Sequence, residues 1–251
     1  MILARNRYLT ELALIAAGYL FYIGIKQFFV QDLEVIAFEN ARKIINLEVL
    51  LKLHWEQPLQ DWLLHNHRNV IVFFNWVYTL GFFPILIPAA VILFVSRYPT
   101  YVHYRNVFLI SYAITWLVYL TFPTAPPRMM GEHGYIDTIQ QMGPAIYNSK
   151  ETISYYNQFS AMPSMHFGWT LLFGILFLRS KYLPLKIFGA VYPILSLVAI
   201  VVTANHYLLD ALVGGLIILF SFAIYHLLKK AVLPQLAAQT SPVLSTRLWR
   251  A

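Results

Sequence analysis

The sequence contains no cysteine and few charged residues. Among its 251 residues there is no Cys, and Asp, Glu, Lys and Arg together make up 12% of the chain. The absence of cysteine excludes a disulfide framework, a thiolate nucleophile and a Cys-based zinc site. The scarcity of charge argues against a soluble domain, in which about a quarter of the residues are charged.

Long hydrophobic runs take the place of charge. The chain is 59% hydrophobic, and a soluble fold of this length could not bury so much apolar surface. About 20 apolar residues in a helix cross the hydrocarbon core of a bilayer. Six segments fit: residues 8–30, 70–95, 107–122, 162–178, 183–202 and 207–228. The sequence therefore predicts an all-α polytopic membrane protein with six transmembrane helices.

Two stretches between the predicted spans are long. Residues 31–69 mix apolar residues with acids and bases, which predicts one or two amphipathic interfacial helices. Residues 124–161 hold several Gly, Pro, Tyr and Asn residues and predict a loop that covers the active site. The predicted organisation is a first transmembrane helix within residues 1–30, the interfacial region at 31–69, a transmembrane catalytic core at 70–230 and a cytoplasmic tail at 231–251.

The distribution of charge predicts the orientation in the membrane. The net charge is +7, but the basic residues lie mostly between apolar runs, so they report topology and not nucleic-acid binding. With six spans both termini lie on one side. That side collects most of the 18 Lys and Arg residues but only Glu11 among the 11 acidic residues. The positive-inside rule predicts a multi-pass protein of the cell membrane with cytoplasmic termini and both long stretches outside.

Three polar motifs lie at the ends of predicted spans. Their sequences are FPTAPPR at residues 122–128, MPSMH at 162–166 and NHYLLD at 205–210. Alternating topology places all three on the extracytoplasmic face. Ionisable residues that face the interior of a membrane bundle are costly, and they therefore indicate a functional site.

The residues of these motifs suit catalysis on an anion. His206 and Asp210 are four residues apart, which on a helix places them on one face, where the carboxylate would orient the imidazole as in a catalytic triad. His166 and Ser164 lie at the start of a span, and a helix N-terminus binds anions. Arg128 ends a proline-stiffened turn and is suited to hold phosphate with two hydrogen bonds.

Each motif taken alone also has a structural explanation. The His–Asp pair would satisfy two buried polar groups, the second motif would cap a helix, and Arg128 would anchor a span at lipid headgroups. Together they supply the anion site, nucleophile, acid and orienting carboxylate that phosphoryl transfer needs. Two His and an Asp also suit zinc, but Arg128 would repel a cation. The sequence thus predicts metal-independent chemistry without a cofactor.

These motifs resemble the type 2 phosphatidic acid phosphatase superfamily, whose membrane members have a six-helix core. Its P-S-x-H motif is matched by Pro163, Ser164 and His166, and its H-x-x-x-D motif by His206 and Asp210. The resemblance covers about residues 122–219.

The resemblance implies a role for each matched residue. His206 would be the nucleophile that forms a phosphohistidine, His166 would protonate the leaving group, and Asp210 would orient His206. Phosphate would be bound by Arg128 and Ser164. Three further residues are expected to contribute to the substrate pocket: Asn205, Tyr207 and Asn157.

Two departures from the family pattern remove positive charge. The first motif usually has a Lys several residues before its Arg, and here the residues just upstream of Arg128 are apolar or small. The third often has an Arg six residues before its His, where this chain has Ile200. The string at 122–127 and the His-Tyr after Asn205 look closer to the inositol phosphorylceramide synthase (aureobasidin target)-like branch, and more distantly to sphingomyelin synthase. A less positive site suits a singly charged phosphodiester.

The sequence therefore predicts a membrane-embedded lipid phosphatase, a hydrolase of phospholipid metabolism, with membrane lipids around it and a lipid phosphate as its substrate. The alternative is a head-group phosphotransferase that uses a lipid alcohol in place of water. A transporter is a weaker alternative, because no paired broken helices in two related halves are evident. The lipid, the acceptor and the oligomeric state are left open.

Overall fold

The fold is helical throughout the part of the chain that the computed structural model describes, residues 2–28, 33–144 and 157–239. Those ranges contain no strand, only an isolated bridge between Thr124 and Ser160, so the all-α prediction is confirmed. The helices are α1 (Ile2–Phe28), α2 (Leu33–Leu50), α3 (Glu56–Asn66), α4 (Arg68–Leu80), α5 (Phe83–Ser96), α6 (Tyr98–Thr121), α7 (Thr138–Met142), α8 (Met165–Leu178), α9 (Leu183–Val202) and α10 (Leu208–Gln239).

Three helical segments of the described chain are long and apolar enough to cross a membrane. They are Arg68–Ser96, which comprises α4 and α5, Leu183–Val202 and Leu208–Ala231. Helix α8 is apolar but shorter. Helix α6 has the length, but several tyrosines together with Arg105 and Asn106 lower its hydropathy. The structure therefore supports a membrane protein, while the prediction of six spans is not confirmed.

The second predicted span is broken in its middle. The chain leaves the helix at Gly81 and starts α5 at Phe83, with Pro84 in its first turn. A side chain at Gly81 would collide with the carbonyl of Val77. Proline is favoured in a first turn, where its missing N–H needs no partner. The break therefore comes from Gly81, and Pro84 starts the next helix.

The central bundle consists of α6, α8, α9 and α10. Helix α9 packs along α8, and α10 packs against both α6 and α8. Two glycines allow the close contact between α8 and α9, since a Cβ on either Gly174 or Gly189 would lie 2.7 Å from the other residue's carbonyl oxygen. Close backbone approach through small residues is typical of membrane helices. Leu172 and Ile218 are fully buried in this core.

Helix α1 is attached to α6 by polar contacts as well as aromatic ones. The buried Glu11 carboxylate forms an ion pair with Arg105 and accepts a hydrogen bond from the Tyr101 hydroxyl at 2.9 Å. Nearer the site, the Tyr112 hydroxyl donates to the Gly18 carbonyl at 3.2 Å. A buried acid therefore has its partner within the bundle, which explains the one acidic residue on the side predicted to be cytoplasmic.

Within the segment where the sequence predicts one or two interfacial helices, the structure has α2 and α3, and both pack onto the core. Asn40 of α2 donates to the Pro123 carbonyl at 2.9 Å, and the Ala125 N–H donates to the Ala37 carbonyl at 3.1 Å. Gln60 of α3 exchanges two hydrogen bonds of 3.0 Å with the backbone of Ile136. Polar side chains hold α2 and α3 over the motif-bearing loops, a role that the apolar pattern did not indicate.

The C-terminal helix continues beyond the predicted catalytic core. Helix α10 runs to Gln239, past the boundary at residue 230 where we expected the tail to begin. The rest of the predicted tail, residues 240–251, and the middle of the predicted active-site loop, residues 145–156, lie outside the described residues.

Candidate active site

His206 lies in the turn between α9 and α10. The sequence suggested that His206 and Asp210 share a helix, but α10 begins at Leu208, so only Asp210 is helical. In this turn Ala204 adopts a left-handed conformation with φ of 54°, which is uncommon for a residue with a Cβ. The Ala204 carbonyl accepts the Arg128 N–H at 2.7 Å. The turn therefore joins the first and third motifs through the backbone.

The hydrogen bonds of His206 define its tautomer. Its Nδ1 atom lies 2.8 Å from the Ala161 carbonyl oxygen and 3.5 Å from Oδ2 of Asp210. A carbonyl oxygen can only accept, so Nδ1 carries a proton, and in the neutral tautomer that this requires Nε2 is the ring nitrogen with the lone pair. The side chain is 8% exposed. The shorter of these two polar contacts of His206 is therefore to a main-chain carbonyl, and not to Asp210.

Asp210 connects the second and third motifs. Its Oδ2 accepts the Tyr207 N–H at 2.9 Å, an arrangement like that of an acidic side chain in a capping box. Its main-chain carbonyl accepts the Ser164 N–H at 2.9 Å. The side chain is fully buried, and Oδ1 has no hydrogen-bond partner in the described residues. The carboxylate therefore holds the turn of His206 in addition to lying near its ring.

His166 is in the first turn of α8 and faces His206. The centroids of the two imidazole rings are 6.0 Å apart. The His166 ring stacks on Tyr78 at 4.3 Å and packs against Phe82 at 4.9 Å. Phe82 lies at the break between α4 and α5, so the interruption of that span provides one wall for His166.

Ser164 caps α8. Its hydroxyl accepts the Phe167 N–H at 3.4 Å, as expected of a serine at an N-cap. The residue is completely buried, and its carbonyl lies against Gly214, where a side chain could not be accommodated. Ser164 is not among the residues that line the cavity described below, and its predicted role in binding phosphate stays a prediction.

Arg128 is held by side chains from two other segments. Its Nε donates to Oδ1 of Asn205 at 3.1 Å, and its Nη1 lies 3.7 Å from Oδ2 of Asp137. Asn205 is itself fixed, because its amide donates to the Thr203 hydroxyl at 2.7 Å. A guanidinium oriented through Nε can still offer N–H groups of its terminal nitrogens to an anion, although Asp137 competes for Nη1.

These side chains surround a cavity of about 610 Å³. Its polar lining includes Arg128, His166, His206, Asn205 and Asn157, all of which the sequence had indicated. Tyr207, also expected near the pocket, is fully buried, donates to the Ala125 carbonyl at 3.3 Å and does not line the cavity. The remaining lining is largely aromatic, with Tyr22, Phe82, Phe83, Tyr112, Trp116, Tyr119 and Trp169.

Sequence reasoning missed three groups of residues at the site. Asp137 was overlooked because nothing in the pattern links it to Arg128, and Tyr78 because an aromatic residue in an apolar span looks like ordinary core. The two acidic residues Glu48 and Glu56 are completely buried beneath the start of α10. An acid followed eight residues later by another is no recognisable motif. In the described ranges no group of three His, Asp or Glu side chains is arranged to hold a metal ion.

Comparison with known proteins gives one match. A family model described as the PAP2 superfamily matches residues 42–224, a range that includes all three motifs. No match was found among curated proteins or among solved structures. The match supports the superfamily resemblance but not the inositol phosphorylceramide synthase-like branch, which stays a prediction.

Proposed function

The chain belongs to the PAP2 superfamily, and from this premise we propose that it is a membrane-embedded lipid phosphatase that acts through a phosphohistidine intermediate. Membership supports phosphatase or phosphotransferase chemistry in general. The observation that carries the more specific proposal is the pair of imidazoles across the cavity, with Nδ1 of His206 engaged by Ala161 and Arg128 beside them.

In the first step, Nε2 of His206 attacks the phosphorus atom and the bond from phosphorus to the lipid oxygen breaks. His166 donates its proton to that oxygen, so the lipid leaves as a neutral alcohol. The negative charge of the substrate phosphate favours the protonated form of His166 before this step. The imidazolium that forms at His206 is stabilised by Asp210, whose Oδ2 lies 3.5 Å from Nδ1.

In the second step, His166 acts as a base. It takes a proton from water while the water oxygen attacks phosphorus, the bond between phosphorus and Nε2 breaks, and inorganic phosphate leaves. Throughout both steps the guanidinium of Arg128 binds the phosphate oxygens, with its orientation fixed by Asn205. Both histidines end in their starting protonation states.

The cavity walls support a lipid as the substrate. The side of the cavity formed by α1 and α6 presents Tyr22, Tyr112, Trp116 and Tyr119. Aromatic rings bury large apolar areas and place their polar atoms at the wet end of a site. A substrate with a phosphate at the two histidines would direct its apolar part along these rings.

A head-group phosphotransferase is the second candidate, and one observation favours it. Ile200, at the position where the family often has an Arg, is completely buried. Among the described residues that line the cavity, Arg128 is the one Lys or Arg, and Asp137 partly offsets its charge. Such a site suits a phosphodiester with one negative charge. The first step would be the same, and a lipid alcohol would replace water in the second.

The experiment uses purified protein with phosphatidic acid or phosphatidylinositol labelled in the phosphate. After the intermediate has formed, the reaction is chased with water alone or with added diacylglycerol or ceramide. A phosphatase releases free phosphate from phosphatidic acid at the same rate in both chases. If the label leaves the enzyme only when the alcohol is added, and then appears in a new lipid, the protein is a transferase and the phosphatase proposal is wrong.

A pair of histidine variants controls this experiment. His206→Ala should retain no turnover and no acid-labile label, because the nucleophile is removed. His65→Ala changes an exposed histidine of α3 and should behave as the unmodified protein. Near-normal turnover in His206→Ala would end the assignment of His206 as the nucleophile.

A further inference from the structure

Two completely buried acids lie beneath the turn between α9 and α10 that carries His206, called the catalytic turn below. Glu48, near the end of α2, and Glu56, at the start of α3, are each 0% exposed. Oε1 of Glu48 accepts the Leu209 N–H at 2.8 Å, and Oε1 of Glu56 accepts the Leu208 N–H at 2.6 Å. These consecutive N–H groups open α10 and have no partner within the helix. The two acids therefore cap the helix that begins two residues after His206.

The second carboxyl oxygens of Glu48 and Glu56 indicate that the two acids share a proton. Oε2 of Glu48 and Oε2 of Glu56 are buried, and neither has a hydrogen-bond partner in the described residues. The two side chains lie close enough to influence each other's charge, and they cap the N–H groups of consecutive residues. Two ionised carboxylates cannot hydrogen-bond to each other, whereas one proton makes a donor of one and leaves the other an acceptor. A single proton between them would give both oxygens a partner.

The surroundings of the pair oppose a second negative charge. Burial, and after it the charge of Glu56, raises the pKa of Glu48 to about 9. Burial also raises the pKa of Glu56. Asp210 faces the pair from α10 and adds negative charge. On the other sides lie two uncharged groups, Tyr135, whose pKa is raised by burial, and His54, which contacts the Tyr135 hydroxyl at 3.0 Å and whose pKa is lowered by burial.

We propose that Glu48 and Glu56 share one proton and serve as positioning residues that hold the start of α10, and with it His206 and Asp210, in catalytic register. This inference rests on the proposed function for its effect on turnover. The pair joins α2 and α3, which carry no motif, to the catalytic turn. Loss of the shared proton would place two adjacent carboxylates beside Asp210 and displace α10 from them.

The sign of the pH dependence follows from the raised pKa. Between the ordinary carboxyl pKa of 4.5 and about 9, the folded protein keeps a proton on Glu48 that the unfolded chain has lost. Stability contributed by this proton is therefore complete below pH 4.5 and declines as pH rises towards 9. The folded protein itself loses the proton near pH 9, and turnover should fall there.

Glu48→Gln is the central variant, because glutamine reproduces the protonated acid. Its amide oxygen accepts the Leu209 N–H and its amide nitrogen donates permanently to Glu56. With phosphatidic acid in detergent micelles as the probe, its kcat at neutral pH should stay within about twofold of the unmodified protein. Its kcat should lack the fall near pH 9. Glu48→Ala leaves the Leu209 N–H without a partner and should lower kcat by roughly tenfold or more with a smaller change in KM.

Glu39→Gln is the matched control, since Glu39 is exposed on the same helix, and it should keep the fall near pH 9. An unchanged fall of kcat at alkaline pH in Glu48→Gln, or a loss of kcat in Glu48→Gln as large as in Glu48→Ala, would overturn the proposal.

Melting temperature in detergent from pH 5 to 10 is a second measurement that needs no substrate. The melting temperature of Glu48→Gln should depend less on pH than that of Glu39→Gln. The acid pair can therefore be tested even if phosphatidic acid is not turned over. Equal slopes in the two variants would contradict the shared proton.

Discussion

At the scale of single residues, the orientation of His206 depends on the backbone as much as on Asp210. The Ala161 carbonyl is the nearer partner of Nδ1, at 2.8 Å against 3.5 Å for Asp210. In a catalytic triad the acid sets the tautomer, and its replacement by an amide costs about 10⁴-fold because the wrong tautomer forms. In this protein the main-chain carbonyl of Ala161 already sets the tautomer of His206, and no side-chain substitution removes that carbonyl.

Asp210→Asn should therefore lose less activity than a triad acid would. What remains to be lost is the attraction between the carboxylate and the imidazolium, about 1.5–3 kcal/mol, which corresponds to roughly a 10- to 100-fold lower kcat. Single-turnover rates with labelled phosphatidic acid measure it, with circular dichroism as a check that the variant is folded. A loss of about 10⁴-fold would show that Asp210, not Ala161, fixes the tautomer.

Arg128→Lys tests the phosphate site at the same scale. An ammonium cannot reproduce the planar fork or the bond from Nε to Asn205, so kcat/KM should fall by about 10²-fold. Arg42→Lys is the matched control, because Arg42 pairs with Glu132 on the surface, where both side chains are about half exposed. Equal activity of the two variants would show that Arg128 does not bind the substrate phosphate.

Sequence reasoning identified residues whose spacing is itself a motif, and it failed where the contact is distant in the chain. Arg128, His166, His206 and Asn205 line one cavity, as their positions at span ends suggested. Glu48 meets Leu209 across 161 residues. No local pattern records such a contact, and a buried acid in a mixed segment reads as a solvent-exposed one.

At the scale of helices, the first turn of α8 is seated against α10. The carbonyl of Ser164 lies against Gly214, and Ser164 N–H bonds to Asp210 one turn earlier on the same helix. This contact sets the separation of His166 from His206, because His166 follows Ser164 and His206 precedes α10. The close contact between the Ser164 carbonyl and α10 is possible because Gly214 has no side chain.

Gly214→Ala should separate these two helices and with them the two histidines. The new methyl group meets the backbone of Ser164, which cannot move as a side chain can, and such overpacking costs about 1–3 kcal/mol. Gly215→Ala is the control, since its methyl would lie 3.2 Å from a ring carbon of Phe167, which can rotate. Melting temperature and kcat should both fall in Gly214→Ala and change little in Gly215→Ala. A Gly214→Ala protein with unaltered kcat would contradict the argument.

Apolar periodicity predicted where the helices lie but not how each of them is used. Segments of long uniform hydropathy, such as α9, were placed correctly at residues 183–202. The break at Gly81 was missed, since apolar residues continue across it and Tyr192, which donates to the Gly81 carbonyl at 2.7 Å, is far along the chain. The packing of α2 onto the core depends on polar residues such as Asn40, and polar residues in an amphipathic segment look like a solvated face.

At the scale of the whole molecule, the site and a group of basic residues lie at opposite ends of the same helices. The three sequence motifs follow the C-terminal end of α6, precede the N-terminal end of α8, and join α9 to α10. The other ends of these helices carry Arg105, Arg179, Lys186 and Lys229. Because Lys and Arg near span ends favour the cytoplasm, the site should face the extracytoplasmic side.

The absence of cysteine allows this orientation to be tested with single introduced thiols. Glu132→Cys lies near the site and Lys181→Cys between α8 and α9, and both positions are exposed. A membrane-impermeant maleimide added to intact cells should label the thiol at residue 132, and should label the thiol at 181 only after permeabilisation. The unmodified chain, which has no thiol, gives the background. The reverse pattern would place catalysis in the cytoplasm. In that case lipid phosphate would be drawn from the inner leaflet, and the basic ends of the helices would face outwards against the usual charge bias.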